Sequence, residues 1–260
     1  MAVGKDLSLA NRLISALPAP ERALLLAHCE LVELRHRQVL SQAGQPLEYA
    51  WFPVDSFVCV AMPSDDAPNV QVAMVGNEGM LHTSLVLRVA TSAFTGAVQG
   101  AGRAFRIPRG ALESRLLDDP FLRDVLSRYA AVFQTHLARQ LVCVSHHTLL
   151  QRLARWLLMT RDLSHSSELF LTHQALAFML GVRRESVSRA ASAFEQRGLV
   201  SYSHGYMMLR DEAGLERISC HCYRASLLAY ERILEFPAGV GSPGLWRGPI
   251  ISGLPADLDA

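Results

Sequence analysis

The stretch "LTHQALAFMLGVRRESVSRAASAFEQRGLVSYSHGYMML", Leu171 to Leu209, decides how the chain is read. Thr172 supplies an oxygen cap, Leu176, Met179 and Leu180 give a two-turn apolar face, and Gly181 ends that helix. A second helix follows, with Val187, Ala190, Ala191 and Phe194 facing inward. After Gly198, two short strand-like runs meet at His204-Gly205. Helix, turn, helix, hairpin is the order of a winged helix-turn-helix.

The second helix sorts its side chains sharply. With Val187 at zero and about 100° per residue, Phe194, Ala191 and Ala190 lie within about 60° of it. Glu185, Ser188, Arg189 and Ser192 fall about 100° to 200° away, on the opposite face. Arg184 sits at the border in the first turn, from where a long side chain can swing outward. Such a face suits a major groove, because arginine takes guanine O6 and N7 bidentately and glutamate accepts from cytosine N4. The competing reading is a solvated helix held by a Glu185–Arg189 pair at i, i+4.

Outward from this segment the texture changes twice. Residues 7–28 read as a helix interrupted at Pro18 and Pro20, with Leu9, Leu13, Leu17, Leu24 and Leu25 as its stripe. From about 31 to 108, runs such as "RQVLSQ", "YAWFPV", "SFVCVAM", "VQVAMVG", "AFTGAVQG" and "GRAFRIP" alternate with turn residues, which predicts a β-barrel, roll or jelly roll. Beyond 110 the chain turns helical. Leu122, Leu126, Tyr129, Phe133, Leu137, Leu141 and Val144 form one long seam, thickened by Val125 and Val132. That seam needs either the β domain or the same helix of a second subunit as its partner, and from Leu122 to Val144 it is expected to form a parallel two-helix contact about a twofold axis.

The expected architecture is α+β. An antiparallel, jelly-roll-like β-roll over 1–115 precedes a dimerisation helix over 116–146 and a winged helix-turn-helix over 147–236. Residues 211–236 read as one last helix, and the Pro- and Gly-rich 237–260 as a flexible tail.

Net charge is only +1, but residues 151–210 hold eight arginines against four acids while 211–260 hold four basic against seven acidic side chains. The positive balance thus sits on the segment that opened the reading, as a phosphate partner requires. Five scattered cysteines (Cys29, Cys59, Cys143, Cys220, Cys222) follow no secreted-domain spacing and fit a reducing cytoplasm. The N-terminus has no apolar signal region, and no run of about 18 apolar residues suggests a membrane span. No G-x-S-x-G, Walker loop or G-x-G-x-x-G stands in a strand-to-helix context, so no enzyme class is indicated.

The segment "LTHQALAFMLGVRRESVSRAASAFEQRGLV" resembles the helix-turn-helix of the Crp/Fnr family of bacterial transcription regulators. Arg184, Glu185, Val187 and Arg189 match the Crp version of its recognition helix, and Glu185, Ser188 and Arg189 the Fnr version. "QVLSQAGQPLEYAWFPVDSF" resembles the opening strands of the family's roll. The resemblance implies a homodimer on a palindromic promoter site with TGA-containing half-sites, an effector sensed in the roll, and work with RNA polymerase. It also implies phosphate contacts at Thr172 and Gln174.

Two positions depart from the family. Arg183 stands where a Ser or Thr would cap the recognition helix, and its charge is free to reach a phosphate instead. In "GNEGMLHTSLVLRVATSAFTGAV", Thr83 and Thr91 replace the Glu and Arg of the cyclic-nucleotide cassette, and Arg88 comes three residues early. Without that arginine the cyclic phosphate lacks its bidentate partner, so cyclic AMP is not expected.

Other ligands find little support in the sequence. In "SCHCY", Cys220 and Cys222 on one helix would point about 200° apart, with no further cysteine near in sequence, so no metal site is expected. An iron–sulfur cluster needs four cysteines, normally grouped near the N-terminus, where only Cys29 lies. Haem stays open, through His36, His82 or His136. The rival from another class is a cupin-like small-molecule-binding barrel or enzyme carrying a winged helix that does not bind DNA. It would need clustered histidines on strands, and the β region has only His36 and His82.

Overall fold

The computed structural model describes residues 7–64, 70–203 and 205–234. The N-terminal helix is not continuous. A 3-10 turn (Leu7–Leu9) leads into α1 (Arg12–Ser15) and α2 (Ala19–Leu26). Asn11 caps α1 through Oδ1, and its Nδ2 donates to the carbonyls of Pro53 at 2.9 Å and Gly79 at 2.8 Å. Leu13, Leu17 and Leu25 are buried as expected, whereas Leu9 and Leu24 face solvent. Pro18 fixes the entry to α2 rather than kinking one long helix.

Seven described strands then build two antiparallel sheets. These are β1 (Glu30–Leu34), β2 (Val39–Ser41), β3 (Tyr49–Pro53), β4 (Phe57–Met62), β5 (Val70–Val75), β6 (Thr95–Gly100) and β7 (Gly102–Pro108). One sheet has the order β1-β7-β3, the other β2-β6-β4-β5. Both sheets send apolar side chains into one core: Leu34, Trp51, Val58, Val60, Val98 and Ala104 among them. Strand β1 escaped the sequence pattern because the glutamates of "ELVEL" stand three apart, which breaks the alternation, and only Leu34 is buried. Its Glu30 pairs with Arg106 of β7 at 2.7 Å.

Helix α3 (Arg109–Asp118) leads to α4 (Pro120–His146), started by the Asp119 side chain, which accepts from Leu122 N at 2.9 Å. The seam along α4 is not one surface. Leu122, Val125, Leu126, Tyr129, Val132 and Phe133 are buried within the protomer, while Leu141, Val142 and Val144 are exposed. Gly79 lets the chain pass under α4, since a Cβ there would overlap the Tyr129 ring. The outward stripe is instead Ser127, Ala131, Gln134, Ala138, Leu141 and Ser145, stepping by four and three.

His147 breaks the helix, and a capping box between Thr148 and Gln151 starts α5 (Leu149–Ser164). The last region then runs through β8 (Glu168–Phe170), α6 (His173–Leu180), α7 (Arg184–Gln196), β9 (Val200–Ser203) and β10 (Tyr206–Leu209). The wing is a three-stranded sheet ordered β8-β10-β9, one strand more than the hairpin expected. The single helix expected over 211–236 is two within the described residues, α8 (Glu212–Ile218) and α9 (Cys222–Leu234). Ser219 is extended and ends the first. Helix α9 runs back along α4: His136 bonds the Ser226 carbonyl at 3.4 Å, and Arg128 donates to that of Ile233 at 3.3 Å. The expected tail, 237–260, lies outside the described residues.

Candidate nucleic-acid interface

Thr172 accepts from Ala175 N at 3.1 Å and so starts α6, as its position in the sequence requires. Gly181 closes α6 in the left-handed region at φ +63°, which favours glycine, and its amide turns back on the helix. The chain then enters α7 through Arg183, whose side chain makes no cap bond. The first turn of α7 keeps the positive end of its dipole uncapped beneath Arg183 and Arg184.

The inner face of α7 is the expected one: Val187, Ala190, Ala191 and Phe194 are buried in the domain core with Leu153, Trp156 and Leu176. Arg183, Arg184, Glu185, Arg189 and Ser192 are exposed, and so is Gln174 on α6; Thr172 is half-buried. The Glu185–Arg189 pair of a self-sufficient surface helix is not formed. Arg189 reaches Ser186 Oγ instead, at 3.4 Å. The arginines and the carboxylate are therefore left to face outward together.

Ser188 differs from the other four outward positions. It is half-buried, and its Oγ lies 2.9 Å from His173 Nδ1. The His173 ring stacks on Tyr202 at 4.8 Å, and Tyr202 donates its hydroxyl to the Leu171 carbonyl. One histidine thus ties α6, α7 and β9 together. Burial, then the neighbouring Arg184, lowers its pKa. Sequence reasoning missed His173; its only signal was its place in "THQ", at the start of the first helix.

In the roll, Thr83 opens a 3-10 turn that ends at Leu87, and Arg88 follows, exposed, at φ +59°. The space between the sheets is filled by apolar side chains, with Phe133 of α4 against Phe94 at 6.2 Å. The three histidines considered for haem stand apart. His36 is exposed and bonded to the Gln99 carbonyl, His82 is buried against that of Tyr49, and His136 lies under α9. A cleft of about 590 Å³ opens between the roll, α5 and α9, with Arg12, Glu78, Arg161, Asp162, Tyr223 and Tyr230 in its walls.

The cysteine expectation needs correction. Cys220 and Cys222 do not share a helix, because Cys220 precedes α9 and Cys222 begins it. A third cysteine reaches them through space: Cys143 Sγ lies 3.5 Å from Cys220 Sγ. His147 Nδ1 is 3.7 Å from Cys222 Sγ, and all four ligand atoms lie within 4.8 Å of one another. Cys143 lies in the last turn of α4 and His147 is the extended residue that caps it, its amide bonding the Cys143 carbonyl. Cys29 and Cys59 stand elsewhere, with thiols pushed up to about 12 by burial.

Residues 151–218 match the family described as the Crp-like helix-turn-helix domain. No curated protein matches the chain. Solved structures with the same fold include a transcriptional regulator of the Crp/Fnr family from Eubacterium rectale, 18% identical, covering 78% of this chain and 94% of that one at a TM-score of 0.63. FixK2 from Bradyrhizobium japonicum is 19% identical, covering 74% and 98% at 0.63. The c-di-GMP-responsive global regulator CLP of Xanthomonas campestris is 15% identical, covering 75% and 100% at 0.58. Among the described residues no helix is long and apolar enough to cross a membrane.

Proposed function

We propose that this chain, which carries a Crp-like helix-turn-helix domain on the fold of the Crp/Fnr regulators, is a DNA-binding transcription regulator that binds a palindromic promoter site as a homodimer. The observation that carries the reading is the outward face of α7, where Arg184, Glu185 and Arg189 stand exposed and Arg189 reaches Ser186 rather than Glu185. In the major groove Arg189 takes a guanine of a TGA-containing half-site, and Glu185 accepts from a cytosine opposite while steadying Arg184. Arg183, Thr172 and Gln174 hold phosphates and set the register. Ser188 acts mainly through His173, fixing the angle between α6 and α7.

The homodimer forms along the outward stripe of α4 from Ser127 to Ser145, whose small residues let two helices approach closely. The reading assigns no catalysis and places the protein in the cytoplasm with DNA and RNA polymerase. It takes no cyclic AMP as effector, because the exposed Arg88 and the two threonines offer no cradle for a cyclic phosphate. A binding selection on duplexes with randomised half-sites, at fixed salt, tests it. Two TGA-containing half-sites about one helical turn apart are the expected yield; recovery of unrelated sequences at background level overturns it.

A further inference from the structure

The four side chains that meet where α4 ends belong to no part of the DNA-binding reading. They come from two separate stretches of chain: Cys143 from the last turn of α4 with His147 just beyond it, and Cys220 and Cys222 from the entry to α9. Buried cysteines often pack as small apolar groups, and that alone explains a pair. It does not explain a histidine among them, nor the arginine beside them.

Arg155 of α5 is buried at 6% exposure, has no carboxylate within ion-pair distance, and leaves its Nε without a partner. Its Nη1 donates to Gln140 at 2.7 Å. A guanidinium in that position needs an anion. The cysteine group supplies one. Cys143 lines the same small pocket as Arg155, and cysteines ligating a metal do so as thiolates, which carry the charge that the guanidinium needs.

We infer that Cys143, His147, Cys220 and Cys222 form a mononuclear metal site of the Cys₃His type, for a tetrahedral divalent ion of the zinc class. The geometry is that of one ion. With metal–sulfur bonds of about 2.3 Å, ligand atoms at the corners of a tetrahedron lie about 3.8 Å apart. Two of the six separations here are 3.5 Å (Cys143 to Cys220) and 3.7 Å (Cys222 to His147), and all lie within 4.8 Å, so small side-chain shifts bring the four onto one ion. An iron–sulfur cluster places its inorganic core between the cysteines and spreads them farther than this. Filling the site drives three thiol protons into solvent, and three thiolates with one dication leave one negative charge for Arg155 to balance. The ion joins the end of α4 to the start of α9 at the one residue, His147, that separates α4 from the cap of α5.

The test uses the full chain, expressed with zinc and purified under reducing conditions without chelator. Elemental analysis is expected to find about one zinc per protomer. Cobalt(II) exchanged into the site should show thiolate-to-metal charge transfer and the visible bands of a tetrahedral ion. Cys143→Ser and Cys220→Ser should each lower bound metal at least tenfold, and His147→Cys should keep it as a four-thiolate site. Chelation should lower the melting temperature of the wild type but not of Cys220→Ser. If a serine variant does not fold, the cobalt spectrum of the wild type decides. Substoichiometric metal with all thiols free, a Cys143–Cys220 disulfide, or a brown iron–sulfur chromophore each overturns the site. None of these results bears on DNA binding, which the half-site selection reads separately.

Discussion

Helices α4 and α7 are both amphipathic, and they differ in what they leave uncovered. Helix α7 buries one face and turns arginine, glutamate and serine outward. Helix α4 is covered on two sides, by the roll and by α9, and its last open strip is uncharged and made mostly of small residues. The chemistry of the uncovered face names the partner. Charged forks suit bases and phosphates, whereas an uncharged strip of small residues around Leu141 suits close packing against a second copy of itself. The inner faces carry stability and the outer faces association, so substitutions on the two should separate cleanly.

The largest effect is expected at the inner face of α4. Phe133→Glu places a carboxylate in the roll core and should cost about 4 kcal/mol or more, read as a collapse of the melting temperature. A soluble, fully folded monomer from this variant would instead make Phe133 an interface residue. Next comes the outer strip of α4, where Leu141 is 70% exposed. Leu141→Glu should leave the far-UV spectrum unchanged while light scattering at micromolar concentration reports one chain instead of two. Persistence of the dimer moves the interface elsewhere.

On α7, Arg189→Ala should weaken binding by about 1–3 kcal/mol per half-site and relax preference at one base pair. An unchanged base preference would remove Arg189 from the readout. Gln174→Ala should lower affinity for all sequences alike, by about 1 kcal/mol, since a phosphate contact carries no direct sequence information. Ser188→Ala should cost about 1 kcal/mol of domain stability through the lost His173 bond, a small shift in denaturant midpoint. If it changes base preference as strongly as Arg189→Ala, Ser188 reads bases directly.

Where one periodicity governs both folding and function, the sequence was readable. The 3.6-residue period that buries Val187 and Phe194 also turns Arg189 outward, so the recognition helix and its face could be drawn from spacing alone. The α4 seam was harder. Phe133 and Leu141 follow one another on a single apolar stripe, and nothing local says that the roll covers the first and leaves the second open. Strand β1 was missed because its two glutamates pair with arginines across the sheet edge or face water, which erases alternation. The cysteine cluster was illegible for a different reason. Cys143 and Cys220 lie 77 positions apart, and only the antiparallel return of α9 along α4 brings them together.

The break at His147 also sets a mechanical scale. Helix α4 has 27 residues, so it is about 40 Å long at 1.5 Å per residue. Gripped by the roll at one end, it acts as a pointer. A tilt of about 5° at the gripped end carries the other end through about 3.5 Å, close to the 3.4 Å step between base pairs along a strand. In the proposed homodimer, a repacking in the roll too slight to change its fold would thus be enough to move the far end of α4 by one base-pair step, and with it the half-site spacing that two subunits could span.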